Sequence, residues 1–184
     1  MKKIFLGVMI SAFLIACNDE KKEDKPAAAD SNATAADKKA GDEILNISEG
    51  DGAKNAIMAF SKGDVDGMTA IYDDNVKFYW SGGDSLIGKQ AVKDYYMGRW
   101  KLIDSLSYSE QIVLPIKVAN PQSSYQAPGK WVLLWSFTHV KYKNGNKLNF
   151  WVHSDYHYND AGKVDVAIQY IDKHPLMEAT KGMK

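Results

Sequence analysis

The sequence has one cysteine, Cys17, in 184 residues. A lone thiol excludes an intrachain disulfide and a zinc–thiolate cluster. Net charge is absent too, since 23 Lys and Arg balance 23 Asp and Glu. A nucleic-acid binder usually shows a basic excess, so no nucleic-acid partner is expected. The apolar run from Ile4 to Ala16 has 13 residues, short of the roughly 20 that span a bilayer. Residues 17–41 contain no Val, Ile, Leu, Phe, Tyr or Trp. Such a stretch cannot bury enough apolar surface to offset its ordering entropy, and it reads as a disordered tether. No strong metal-ligand cluster is in sight, and neither a metal nor a cofactor is expected.

What the N-terminus does contain is an address. Lys2 and Lys3, the short apolar run and the small residue Ala16 have the pattern of a secretory signal peptide over residues 1–16. Leu14-Ile15-Ala16-Cys17 resembles the lipobox of bacterial lipoproteins. That resemblance implies cleavage before Cys17, lipidation of its thiol and a membrane partner reached through the lipid. No Asp follows Cys17, so the mark of inner-membrane retention is missing and the expected place is the cell envelope at the outer membrane. The run Asp19 to Asp24 resembles the surface-export tethers of some Gram-negative lipoproteins, and it serves equally as a solvated spacer. The folded part is then residues 42–184, which hold 19 of the 21 aromatics.

Within that domain the hydrophobic period changes once. Ala53, Ala56, Ile57 and Phe60 have helical spacing, and Gly63-Asp64 ends that helix and caps a short second one. Asp73-Asp74-Asn75 reads as a turn and Val76 to Trp80 as a strand. Val92, Tyr95, Tyr96, Arg99 and Trp100 mark a third helix from Lys89 to Leu102. After Ser105 the period is two, with strands at 107–118, 130–143, 147–158 and 163–171. Asn144-Gly145 signals a short hairpin. Residues 119–129, with Pro121 and Pro128, read as an irregular loop over the sheet edge. Helices first and long strands afterwards predict an α+β fold, with the helices on one face of a curved antiparallel sheet.

The run AFSKGDVDGMTAIYDDNVKFYW, the Gly loop, LIGKQAVKDYY and the closing NDAGKVDVAIQYID resemble the SnoaL-like, nuclear-transport-factor-2-like superfamily over residues 48–172. The resemblance implies a cone whose sheet wraps around a pocket, often in a homodimer. The superfamily hosts isomerases, cyclases, dehydratases, transport factors and binding proteins, so fold alone does not choose among them. Strand alternation gives two faces. Matched to the ketosteroid isomerases of the superfamily, the pocket face is expected to carry Tyr79, Tyr95, Tyr96, Trp135, Phe137, His139, Phe150, Val152, Ser154, Tyr156, Ala167 and Gln169. The same match puts Ala56, Tyr79 and Ser154 where those isomerases keep a tyrosine, an aspartate base and a protonated aspartate. All three differ, so that activity does not transfer.

The resulting expectation is a lipoprotein whose domain binds a small, largely apolar molecule in an aromatic pocket. One alternative is an isomerase, cyclase or dehydratase with His139 as general acid or base, since a histidine titrates near neutrality. Another is a dimeric interaction module. The ladder His153, Asp155 and His157, beside Val166 and Ile168, reads as a homodimer contact rather than a metal site.

Overall fold

The computed structural model describes residues 41–183; the signal peptide, Cys17 and all but the last residue of the tether fall outside them. A two-residue strand, β1 (Glu43–Ile44), and a 3₁₀ turn lead into helix α1 (Asp51–Ser61) and the short α2 (Val65–Thr69). Strands β2 (Tyr72–Trp80) and β3 (Ser85–Ile87) precede α3 (Lys89–Leu102). Four strands follow, β4 (Ile103–Val118), β5 (Gly129–Tyr142), β6 (Lys147–Tyr158) and β7 (Val164–Tyr170), and then α4 (Lys173–Ala179). The seven strands form one sheet in the order β1-β4-β5-β6-β7-β2-β3. All neighbours are antiparallel except β2 and β7, which run parallel. The predicted α+β class with a curved sheet therefore holds, with one parallel pair added.

Local chemistry explains the helix boundaries. Gly63 leaves α1 with φ +80°, a backbone conformation that favours glycine. A Cβ there would also strike the Trp100 indole. Asp64 Oδ1 accepts from the Gly67 amide at 2.7 Å, so this carboxylate caps α2. The expected turn at Asp73-Asp74-Asn75 instead lies inside β2, where the register with β7 shifts between Tyr72 and Lys77.

Two apolar clusters hold the helices to the concave face of the sheet. One gathers Tyr72, Val76, Phe78, Trp80, Val92, Val132, Leu134 and Tyr156. The other gathers Phe60, Val65, Met68, Ile103, Val140 and Tyr142 nearer the β5–β6 hairpin. Burial of this kind stabilises by about 25 cal/mol per Å² of apolar surface. Helix α4 closes over the second cluster through Ala179, whose carbonyl accepts from the Asn144 and Asn146 side chains at 2.8 and 2.9 Å.

The β5–β6 hairpin sets which side chains face inward. The Gly145 amide donates to the Tyr142 carbonyl (2.9 Å), and the Tyr142 amide donates to the Asn146 carbonyl (2.8 Å). The loop is therefore three residues, 143–145, with Gly145 at φ +92°. This pairs Val140 with Leu148, Thr138 with Phe150, Ser136 with Val152 and Leu134 with Ser154. A two-residue turn on Asn144-Gly145 would have moved each partner by one, and a one-residue shift exchanges the faces of a strand.

Candidate functional site

A cavity of about 110 Å³ opens where the two clusters meet, lined by residues of both. Its floor is the concave side of the sheet: Leu106 and Tyr108 of β4, Leu134, Ser136, Thr138 and Val140 of β5, and Phe150, Val152, Ser154 and Tyr156 of β6. Helix α1 supplies Ala56, Ile57 and Phe60, α3 supplies Tyr95, Tyr96 and Arg99, and α4 supplies Lys173 and Leu176. Gln169 and Ile171 close the β7 side.

Of the pocket residues expected from the sequence, Tyr95, Tyr96, Phe150, Val152, Ser154, Tyr156 and Gln169 line this cavity. Ala167 lies on the inner side but is packed into the core and does not line the cavity. Four others are corrected. Trp135, Phe137 and His139 point to the convex face, because the three-residue hairpin loop pairs them with His153, Trp151 and Asn149. Tyr79 also points outward and packs edge-on against Tyr125 at 5.5 Å, while Val76, Phe78 and Trp80 point in. The expected cluster of His139, Tyr79, Tyr96, Trp135 and Ser154 is thus split between two faces. His139 Nδ1 meets Asn149 Oδ1 (2.7 Å) and its Nε2 meets Ser109 Oγ (2.9 Å), away from the cavity. A general acid or base role for His139 in this cavity has no geometric support.

Polar groups inside form a neutral network centred on Gln169. Its Oε1 accepts from Trp80 Nε1 (3.0 Å) and the Tyr96 hydroxyl (3.3 Å), and its Nε2 donates to Ser154 Oγ (3.4 Å). The indole is a donor only, which fixes the orientation of the amide. Burial raises the phenol pKa values of Tyr72 and Tyr96 well above the ordinary range, and those of Tyr108 and Tyr156 as well. These phenols are neutral hydrogen-bonding groups at any physiological pH. Thr138 Oγ1 is buried with no hydrogen-bond partner among the described residues.

Among the described residues that line the cavity there is no Asp, Glu or His. Its cations are Arg99, whose Nη2 reaches the Tyr142 hydroxyl at 3.4 Å, and Lys173, which pairs with Asp84 and sits 4.2 Å from the centre of the Trp80 ring. Arg99 lies on the α3 stripe that is visible in the sequence, whereas Tyr108, Ser136, Thr138 and the α4 residues are cavity residues beyond those expected from it. The inward positions of β5 were recoverable from Lys141 and Lys143, which share the parity of His139 and seek solvent.

Titratable chemistry sits instead on the convex face. His153 lies between two rings, stacked on Trp135 at 4.3 Å and on Tyr170 at 5.2 Å. Its Nε2 is 2.7 Å from Asp155 Oδ1, but the two atoms are poorly aligned and neither has another partner among the described residues. Burial raises the Asp155 pKa, and the nearby His153 opposes that only in part. The ring nitrogens of His157 meet Asp165 Oδ1 (2.5 Å) and the Pro128 carbonyl (3.1 Å), which ties the 119–128 loop to the sheet. Asp165 is thereby directed away from the cavity. Among the described residues, no group of three or more His, Cys, Asp or Glu could hold a metal ion.

No protein-family model matches the chain, and no curated protein matches it. Solved structures do. A candidate polyketide cyclase from Xanthomonas campestris is 18% identical, with a TM-score of 0.57 over 74% of this chain and 100% of its own. A candidate isomerase from Bacillus subtilis is 20% identical, with a TM-score of 0.54 over 75% of this chain and 97% of its own. A nuclear-transport-factor-2-like protein of unknown function from Burkholderia pseudomallei is 13% identical, with a TM-score of 0.55 over 73% of this chain and 98% of its own. The described domain has the nuclear-transport-factor-2-like cone fold shared by these neighbours.

Proposed function

We propose that the domain binds a small, largely apolar molecule in the cone cavity and does so without acid–base chemistry. The observation that carries this reading is the cavity wall, where no carboxylate or imidazole is available to take a proton. A general base has to reach the proton it abstracts, and its pKa has to lie near the working pH. The buried phenols fail the second condition, because burial holds their protons well above neutrality. They are suited to orienting a ligand by hydrogen bonds. An isomerase or cyclase activity, of the kind named for two of the structural neighbours, would have to use these phenols and Arg99 as hydrogen-bond donors to a developing oxyanion.

The test is chemical. Protein purified from its native host should release a small organic compound on denaturation, identified by mass spectrometry. Ala56, 5% exposed and on the cavity wall, offers a site for a cavity-filling variant. Ala56→Phe should lose that compound while keeping the wild-type circular dichroism. An unchanged compound load in that variant would place binding elsewhere.

The same reading includes attachment to the envelope through lipidated Cys17 and a homodimer formed by the convex face. The first rests on the lipobox-like segment. Membrane retention unaltered in Cys17→Ala would refute it. The second rests on Ile112, Trp151 and Tyr170, which are 54%, 49% and 44% exposed on one side of the sheet. The half-buried Trp135 and Phe137 lie among them on the same face, and an exposed apolar patch marks a contact site.

A further inference from the structure

We infer that the ligand of this cavity carries a carboxylate, or an oxyanion of the same planar shape, and that Arg99 holds it. The inference rests on the ligand-binding reading above and adds the chemical class of the ligand. A guanidinium presents five donors in a flat fork that matches a carboxylate with two parallel hydrogen bonds. In this structure the fork of Arg99 makes one long contact, 3.4 Å to the neutral Tyr142 hydroxyl, and has no carboxylate partner among the described residues. Lys173, the other cation on the wall, is already paired with Asp84. Arg99 is half-buried, with its side turned to the cavity partly removed from water, and a charge in that position is stabilised by a counter-ion.

A second and independent observation points to a polar ligand. The Thr138 hydroxyl is 3% exposed as a residue, lines the same cavity and lacks a hydrogen-bond partner among the described residues. Buried polar atoms without partners are rare, and an occupant of the cavity is one way to satisfy this one. Much of the remaining wall is aromatic and aliphatic, including Phe60, Tyr95, Phe150 and Val152. The volume of about 110 Å³ is below the roughly 150 Å³ of an engineered cavity that holds benzene. The cavity is only partly enclosed and Arg99 is half-exposed, so a single ring would fill the enclosed part with its acid group reaching out to Arg99. The class is a compact, single-ring aromatic or similarly sized carboxylic acid.

The experiment compares three phenylalkanoates, benzoate, phenylacetate and 3-phenylpropionate, each with its uncharged amide. Binding to the full chain is followed by calorimetry at pH 7. The wild type should prefer the acid over its amide by about tenfold or more at the best-fitting chain length, as expected for a charge-assisted pair. Arg99→Gln should abolish the preference, bringing the acid down to about the affinity of the amide. Arg99→Lys keeps the charge without the fork and should recover only part of the preference. Thermal melts confirm that each variant is folded. Equal binding of acid and amide by the wild type would overturn the carboxylate assignment while leaving the cavity reading intact. So would a preference that survives in folded Arg99→Gln. Failure of every acid and every amide to bind the wild type would overturn the cavity reading, and this inference with it.

Discussion

The two faces of the sheet differ in the kind of chemistry they hold. The concave face carries phenols, hydroxyls, one amide and two cations around an apolar cavity, with no carboxylate and no imidazole. The convex face carries His139, His153 and His157 with Asp155 and Asp165, set among Trp131, Trp135, Phe137 and Trp151. Apolar content does not separate the faces, because both are rich in aromatics. What separates them is ionisable content. A face built around a small closed cavity avoids groups whose desolvation costs free energy. On the convex face, away from the cavity, such groups stand beside opposite partners, His157 with Asp165 and His153 next to Asp155. The largest expected effects on stability therefore come from the concave face, and the effects on assembly from the convex one.

Truncating the core beneath the cavity should be the most damaging change. Phe78 is 1% exposed and packs against Tyr72, Trp80 and Tyr96 at ring separations of 6.2, 4.8 and 6.1 Å. Phe78→Ala should cost about 3–5 kcal/mol in denaturant melts, as for other buried aromatics. Phe137→Ala, on the convex face and partly exposed, should cost about 1 kcal/mol when measured on the monomer. Equal losses at the two positions would erase the contrast between the faces.

On the convex face, charge should act on assembly. Trp151→Glu combined with Ile112→Lys should convert a sedimenting dimer to a monomer, and ligand affinity in the cavity should stay the same. Sedimentation of the wild type as a monomer at high concentration would end the homodimer reading. Joint loss of ligand binding would show that the two faces are coupled through the sheet.

Alkaline pH should weaken the concave face. The phenols of Tyr72, Tyr96 and Tyr156 have pKa values raised by burial, so the unfolded chain releases these protons first. Their contribution to stability is complete below about pH 10, the ordinary tyrosine value, and is lost as pH rises through the folded values. Each such group removes up to about 1.4 kcal/mol per pH unit in that window. Tyr96→Phe should shift the midpoint of alkaline unfolding upward. A midpoint unmoved by that change would mean that Tyr96 is not among the groups that set it.

Acid pH tests the opposite face. The raised pKa of Asp155 means that the folded protein favours its protonated form. That contribution is complete below about pH 3.9, the ordinary Asp value, and is lost as pH rises through the folded value. Asp155→Asn removes the loss and should stabilise the protein at pH 7 by about 1 kcal/mol, as for a buried polar group freed of its charge. Urea melts at pH 4 and pH 7 should show the gain shrinking at the lower pH. Destabilisation at pH 7 would indicate that the His153–Asp155 contact outweighs the burial of the carboxylate.

Much of this arrangement is legible in the sequence. Turn residues and the change of period gave the element order, and the alternation of β6 and β7 brought Phe150, Val152, Ser154, Tyr156 and Gln169 to one side. The faces of β5 were not legible from apolar content, since Trp135 and Phe137 are as apolar as Leu134 and Val140. In β2, Lys77 shares a parity with Tyr79, and its preference for solvent was the available sign that Tyr79 points out. Strand β3 and helix α4 are short and carry weak periodicity, so Lys173 and Leu176 were beyond reach. The short, exposed β1 pairs only with the end of β4 and gives no pattern of its own.

The most local of the predicted effects concerns the turn that decides which side chains of β5 face the cavity. Gly145 stands at φ +92°, and nothing within 4 Å would obstruct a Cβ there. The cost of Gly145→Ala is therefore backbone strain alone, about 1 kcal/mol for a non-glycine residue in left-handed geometry. Asn144 and Asn146 also tie this loop to α4 through the Ala179 carbonyl, which opposes any change in loop length. The β5–β6 register should survive the substitution, with Thr138 and Ser154 still on the cavity side. Amide exchange along the hairpin and a denaturant melt measure the two parts separately. A loss well above 1 kcal/mol, accompanied by exchange of the β5 amides, would mean that the glycine specifies the register itself and does not merely relieve the turn.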